Sequence, residues 1–485
     1  MKMLAFSNYL LFTNISIFII SFFLITSLCF SVRFSTNSAF AFPTLLKASN
    51  GINAFLILTV LFLFCFDIVL NNNFYFYSQN FQIIFFIVFL LVFAVSYDFQ
   101  VARNITKFEL DFLMLCVILS AICLCYTDDF LIFYIAVEFQ SLTFYIIATF
   151  NRNSEFSTEA GLKYFIFGAV ISCLLLFGFF LIYLNFGLTS FELLFSLALV
   201  QQNNFLFLGL LLLLIVLLFK VGAAPFHSWL CDVYDGSMLN VTMLFAAAPK
   251  IIMFSLIIKL IFSSLFDFLP IIQQLLLIAS LMSISIGTFS AIYQKRIKRL
   301  FAYSTISHTG FILLGVLASS AESSKATITY IIIYSFLTVL LFSLLILAAI
   351  STNNHPKYLA NWTSFGIKNY VFAISFALIL FSIAGIPPLA GFFSKFFVLL
   401  SAISNEYYVS CFYIVFISSI ATFYYIRLIK IFFFVKTSKN SFWLSARSKK
   451  NADIILSILM FLNLVFFVRP DFISQLSAVI CFSIL

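Results

Sequence analysis

Five ionisable residues interrupt long apolar stretches near their midpoints: Glu138, Lys220, Lys250, His308 and Lys395. An unpaired charge at the centre of a bilayer costs about 2.5–3.5 kcal/mol on insertion scales, so such side chains persist chiefly where they are paired, hydrated or functional. Carboxylate, ammonium and imidazole all exchange protons, and several of them at one depth suggest a proton path. The hydroxyls of Ser141, Thr143, Tyr303, Ser304, Ser307 and Thr309 are expected to hold water across gaps that no side chain bridges. Plainer readings compete: Glu138 with a lysine as a purely structural ion pair, and His308 as a hydrogen-bonded core histidine. Lys259 and Asp67, near span ends, are expected to snorkel to the interface. Lys163 reads as an anchor or a relay, His227 as structural, and Asp232 and Asp235 as helix caps or as proton-attracting groups at an entrance.

Such residues need helices that carry them to mid-membrane. With 64% hydrophobic and 9% charged residues, a chain of 485 cannot be a soluble domain. The reading is an all-α, polytopic membrane protein of about fourteen transmembrane helices. The spans run roughly over 8–32, 51–70, 80–97, 108–126, 128–150, 159–185, 204–234, 238–263, 271–291, 300–318, 325–350, 370–403, 408–433 and 452–468. The first is read as a retained span rather than a signal peptide. Spans 7 and 12 are too long for one straight crossing, since about 20 residues at ~1.5 Å each cover the hydrocarbon core. Each holds a Gly/Pro run, Gly222-Ala223-Ala224-Pro225 and Gly385-Ile386-Pro387-Pro388, so each is expected to be a broken helix. Paired breaks in two halves of a chain point to a transport site.

Neither a GxGxxG nor a GxxxxGK[ST] run occurs, and the nine cysteines are scattered without metal-ligand spacing. No cofactor site is therefore expected in this chain, which leaves nucleotide and redox chemistry to partners. Eighteen of the 26 lysines and arginines fall at the ends of odd-numbered spans or in the loops after them, three lie on the opposite side, and five lie within spans. That bias places the odd loops in the cytoplasm or the mitochondrial matrix. The basic runs 294–299 and 436–450 are then orientation-setting loops rather than nucleic-acid sites. Protease added to sealed vesicles of known sidedness should cut 436–450 only from the matrix or cytoplasmic face, and cleavage from the other face would overturn the span count.

The stretch from Lys220 to Lys250, KVGAAPFHSWLCDVYDGSMLNVTMLFAAAPK, resembles the antiporter-like membrane subunits of respiratory complex I. Residues 135–142 (IAVEFQSL), 161–165 (GLKYF), 302–310 (AYSTISHTG) and 385–395 (GIPPLAGFFSK) carry the same resemblance, which extends over about residues 130–430. Lysine rather than glutamate at 395 favours one branch of that family. The sequence departs from the family pattern at Cys231 and at Ser237-Met238-Leu239-Asn240, where prolines are usual.

The resemblance implies two inverted five-helix repeats, spans 4–8 and 9–13, each with its fourth helix (span 7 or 12) broken. The units would be 1–107 (three helices), 108–265 and 266–433 (the repeats), and 434–485 (a basic loop and a last helix). It implies that Glu138 and Lys220 form a pair, that Lys250 and His308 continue the axis, and that Lys395 leads outward. A lysine exchanges protons near neutrality only after losing about three units from a reference pKa near 10.4, roughly 4 kcal/mol, and an adjacent carboxylate opposes that loss. Charge moving along the axis would therefore switch Lys220 between holding and releasing its proton. The implied activity is proton translocation driven by electron transfer in partner subunits, which would hold the NADH, FMN, iron–sulfur and ubiquinone sites. The implied partners are other membrane-arm subunits, including sister antiporter-like subunits, and membrane lipids, with no nucleic acid. The implied location is the mitochondrial inner membrane, or alternatively a bacterial plasma membrane. A subunit of a cation/proton antiporter or of a membrane-bound hydrogenase is the competing reading. A bare membrane scaffold is a third, against which the midplane charges argue.

Overall fold

The computed structural model describes residues 17–29, 31–33, 51, 58, 76–103, 108–191, 204–352, 357–363, 370–434 and 450–483. Its helices are α1 (Phe76–Ala102), α2 (Glu109–Cys125), α3 (Phe130–Ala148), α4 (Glu155–Phe186), α5 (Asn204–Val221), α6 (Ser228–Gly236), α7 (Leu239–Lys259), α8 (Leu269–Tyr293), α9 (Ile297–Leu317), α10 (Ala321–Thr352), α11 (Tyr370–Ala384), α12 (Ala390–Ser404), α13 (Tyr408–Phe433), α14 (Lys450–Val468) and α15 (Asp471–Phe482). Nine helices among the described residues are long and apolar enough to cross a membrane, or ten if Ala452–Phe466 and Asp471–Phe482, bent by 89°, count as one span. The chain is thus an all-α polytopic membrane protein. The expected span at 51–70 apart from residues 51 and 58, residues 8–16 and 30 of the first span, Asp67, and the loop 436–449 lie outside the described residues.

Two boundaries differ from expectation for physical reasons. Span 3 is longer than 80–97, because Ser78, Gln79, Asp98 and Gln100 are buried within α1 instead of marking its ends. Asp98 Oδ2 accepts the backbone N–H of Ala452 at 2.8 Å, capping the first turn of α14, where a carboxylate meets the positive end of the helix dipole. The second difference is α15, a helix the apolar count missed; Pro470 ends the straight run, and α15 then packs back on α10 through Ser324 and Cys481.

Contacts at the two ends confirm the alternation of direction. At one end Arg296 bonds Asp235, the Ile297 N–H donates to Lys357 O, Arg427 donates to Ile292 O, and Arg103 donates to Ala349 O. These are the ends of odd-numbered spans, where the basic residues collect. At the other end Lys259 bonds Asp128, the Phe130 N–H donates to Thr189 O, and Ser319 and Ser320 bond Gln273 and Asn405.

Both expected breaks are present, and they are built alike. Gly222 (φ 78°) and Gly385 (φ 82°) take the left-handed conformation that other residues avoid. The next residue in each case donates back five positions, Ala223 to Leu218 O at 2.9 Å and Ile386 to Phe381 O at 3.1 Å, which is the Schellman way to satisfy last-turn carbonyls. The breaks divide α5 from α6 and α11 from α12; α6 ends beside Arg296, before α9, whereas α12 ends beside Ser320, after α9, so the two spans run in opposite directions. Their fastenings differ: Phe219 O accepts the Trp229 indole N–H at 3.1 Å, whereas Ala384 O accepts Lys395 Nζ at 2.8 Å.

Helices α7, α9 and α10 form the centre, with 94%, 94% and 89% of their apolar windows buried against 39% for α4 and α13. The outer helices turn Phe165, Phe180, Phe412 and Phe416 outward. Lys250 and His308 therefore sit on the most enclosed helices, where a charge is hardest to hold.

Candidate proton-relay site

Glu138 lies in the middle of α3. Ser141 Oγ donates to its backbone carbonyl at 2.9 Å and reaches its Oε2 at 3.4 Å, while Oε1 is buried without a hydrogen-bond partner. Lys220 occupies the last turn of α5, where the carbonyl end of the helix favours a cation. The two make no direct ion pair in this structure. Between Lys220 and Lys250 is a cavity of about 30 Å³ lined by Gln140, Ser141, Tyr164, Trp229 and Tyr234. Both amide atoms of Gln140, which is 1% exposed, lack partners. The space suffices for a water, since one needs roughly 10–15 Å³ of such volume and polar partners.

Lys250 follows Pro249 inside α7, and that proline leaves the Phe245 carbonyl without its usual helical donor. Lys250 Nζ donates to Tyr334 Oη at 3.1 Å and approaches Thr305 O at 3.5 Å, with the Tyr334 ring centroid 5.1 Å away. His308 Nδ1 is 2.7 Å from Tyr330 Oη, and its ring lies 5.4 Å from that of Tyr334. A second cavity, about 20 Å³, is lined by Thr305, His308, Tyr330, Tyr334, Ser382 and Ser394. Lys395, next to Ser394, reaches back across the α11/α12 break to Ala384 O and lies 5.3 Å from the Phe311 ring centroid. From Glu138 to Lys395 the ionisable groups are thus interleaved with two water-sized spaces.

The helpers anticipated from sequence are mostly spent locally. Thr143, Ser304, Ser307 and Thr309 donate to carbonyls three residues back on their own helices. Tyr330 and Tyr334 line the second cavity, and Gln140 the first. The available signal was two tyrosines four apart in one apolar span, a spacing that puts both on one helix face.

Other charged residues resolve into fasteners. Asp232 takes Lys163 at 3.2 Å and Arg299 at 3.0 Å, and Asp235 takes Arg296 at 2.5 Å and Arg299 at 3.0 Å, tying α6 to α4 and α9. Lys163 also pairs with Glu159 at 2.7 Å. Lys259 is held by Asp128 at 2.7 Å and by Thr127 O at 2.9 Å, and His227 Nδ1 lies 3.2 Å from Pro225 O. Asp235→Asn removes the charge shared by two arginines and should destabilise the assembled protein by about 1–2 kcal/mol. Thermal unfolding of the purified assembly measures this, and unchanged stability with lost pumping would make Asp235 an entrance group instead.

Paired broken helices around an enclosed row of lysines define an ion-translocating membrane protein. Residues 127–422 match the family described as NADH:quinone oxidoreductase/Mrp antiporter, TM. Over 467 residues, 92% of each chain, the sequence is 34% identical to NADH-ubiquinone oxidoreductase chain 2 of Marchantia polymorpha. The fold is similar to that of a chain in respiratory complex I from Thermus thermophilus, at a TM-score of 0.77 and 22% identity, covering 96% of this chain and 99% of that one. It is also similar to a chain of an archaeal membrane-bound sulfane sulfur reductase, at a TM-score of 0.82 and 19% identity over 97% of each. The chain belongs to the NADH:quinone oxidoreductase/Mrp antiporter family of membrane subunits.

Proposed function

We propose that Glu138, Lys220, Lys250, His308 and Lys395 are the proton relay of this chain, a proton-translocating membrane subunit of respiratory complex I. The observation that carries the relay is Lys250: an ammonium on a central helix, bonded to hydroxyl and carbonyl oxygens but to no carboxylate, lining one water-sized cavity, while its partners Tyr334 and Thr305 line a second. A merely structural lysine at that depth would be expected to hold a carboxylate. Lys395 releases its proton outward and is refilled by way of His308 from Lys250. The neutral amine left at Lys250 then takes the proton that Lys220 releases through the first cavity when charge arriving near Glu138 alters its pull. Electron transfer in partner subunits, which hold the NADH, FMN, iron–sulfur and ubiquinone sites, supplies the energy.

The finer architecture in this reading is fourteen crossings. To the ten counted are added α2, the α11/α12 pair, and the two N-terminal spans read from sequence. Residues 108–265 and 266–433 are the two inverted repeats, between an N-terminal unit (1–107) and a C-terminal one (434–485); the matched breaks entering from opposite ends support this division. Sister antiporter-like subunits and membrane lipids are the neighbours of the outward apolar faces, nucleic acid is not a partner, and the mitochondrial inner membrane is the location. Likeness of fold alone favours complex I no more than the sulfane sulfur reductase, since the latter has the higher TM-score. Identity over nearly the whole chain to a chain 2 protein supports the choice. Purification of the native assembly tests it: NADH-reducible flavin and iron–sulfur partners are expected, and a sodium-dependent complex without them would favour an antiporter.

A further inference from the structure

Lys250 and His308 lie on different helices, α7 and α9, and neither is hydrogen-bonded to the other. The helix that touches both is α10. Its Tyr334 receives the Lys250 ammonium at 3.1 Å, and Tyr330, four residues earlier on the same face, lies 2.7 Å from His308 Nδ1. Both tyrosines and His308 line the 20 Å³ cavity, which has room for a water. We propose, resting on the relay reading above, that the Tyr334 hydroxyl carries the proton between Lys250 and His308, and that α10 is therefore part of the path.

The step conserves protons. Lys250 donates one N–H proton to Tyr334 Oη as that hydroxyl passes its own proton to a water in the cavity, and the water protonates the free nitrogen of His308. Lys250 ends neutral, His308 ends as imidazolium, and tyrosine and water are unchanged. Tyr330, on Nδ1, fixes which imidazole nitrogen faces the incoming proton. No tyrosinate is formed, so the step needs only a neutral hydroxyl with a donor on one side and an acceptor on the other. Tyr334 has the donor, Lys250, and shares the cavity with the acceptor, His308, whereas Ser304, Ser307 and Thr309 return their hydrogens to their own helices.

Tyr334→Phe keeps the ring and removes only the hydroxyl. The test compares protons translocated per NADH oxidised, and the solvent deuterium isotope effect on coupled turnover, in reconstituted complex carrying Tyr334→Phe, Lys250→Met or neither, all normalised to assembled complex. The expected result is that Tyr334→Phe lowers the proton ratio about as far as Lys250→Met does. Residual pumping should show a larger isotope effect than wild type, because protons then cross a longer water path. A full ratio in Tyr334→Phe beside a lowered ratio in Lys250→Met would overturn the role of Tyr334 and leave the relay standing. A lowered ratio with an unchanged isotope effect would reduce Tyr334 to a positioning contact and also overturn it. Full ratios in both would overturn the relay reading itself.

Discussion

Complex I carrying Lys220→Met is expected to assemble normally and to lose at least about tenfold of the proton flux through this chain, equivalent to about 1.4 kcal/mol or more on the transfer barrier. Methionine retains most of the lysine stem and removes a buried charge, so packing on α5 should survive. No direct ion pair with Glu138 is broken, because none is formed. If instead Lys220 serves only to neutralise Glu138, its loss should leave an uncompensated carboxylate and destabilise by about 3–5 kcal/mol. The double variant Lys220→Met with Glu138→Gln separates the two cases. Under the structural reading it recovers stability and pumps; under the relay reading it folds and does not. Protons taken up or released per electron in reconstituted vesicles, at equal assembly, decide between them. Normal pumping by a fully assembled double variant would remove this pair from the path.

Gly391→Ala should have the largest effect on assembly. A Cβ at Gly391 would lie 1.7 Å from the backbone oxygen of Ser382, and backbone cannot swing aside as a side-chain tip can. Ser382 belongs to the last turn of α11, and its carbonyl accepts the Gly385 N–H at 3.0 Å. The added methyl would thus wedge α11 from α12 at the break, for which overpacking costs of about 1–3 kcal/mol or more are usual. Much less assembled complex on native gels is expected, along with weaker pumping by what assembles. Gly187→Asn is the control: φ is 66°, a conformation asparagine tolerates, and a Cβ there meets nothing within 4 Å. Wild-type assembly of Gly391→Ala would show that the close approach is not required.

What was legible in the sequence followed from two strong rules. Apolar length fixed the described spans between residues 108 and 433 to within several residues, because backbone groups in hydrocarbon must pair within helices. Intramembrane charge and Gly/Pro interruptions pointed to Lys220, Lys250, His308 and Lys395 and to both breaks. Contacts were not legible, because they depend on which faces meet. Hydropathy has no means of telling that Asp98 caps α14 or that α15 folds back after Pro470. Nor does it reveal that Ser304 spends its hydrogen on Phe301 O while Tyr334, on another helix, meets Lys250. The resemblance implied a Glu138–Lys220 pair; the two form no direct salt bridge here, and Lys220 lines the first cavity.

The two matched breaks are joints, and they differ in what clasps them. The joint in the first half is clasped by an indole, Trp229, which neither gains nor loses a proton at any physiological pH. The joint in the second half is clasped by the Lys395 ammonium, whose bond to Ala384 O is charge-assisted while protonated and an ordinary amine contact when not. Occupancy by a proton and tightness of that second joint are thereby two readings of one equilibrium, and linkage makes the influence mutual. The halves are built alike, yet if Lys395 is the last site of the proposed relay, the grip at the second break follows whether that site is filled, while the grip at the first does not.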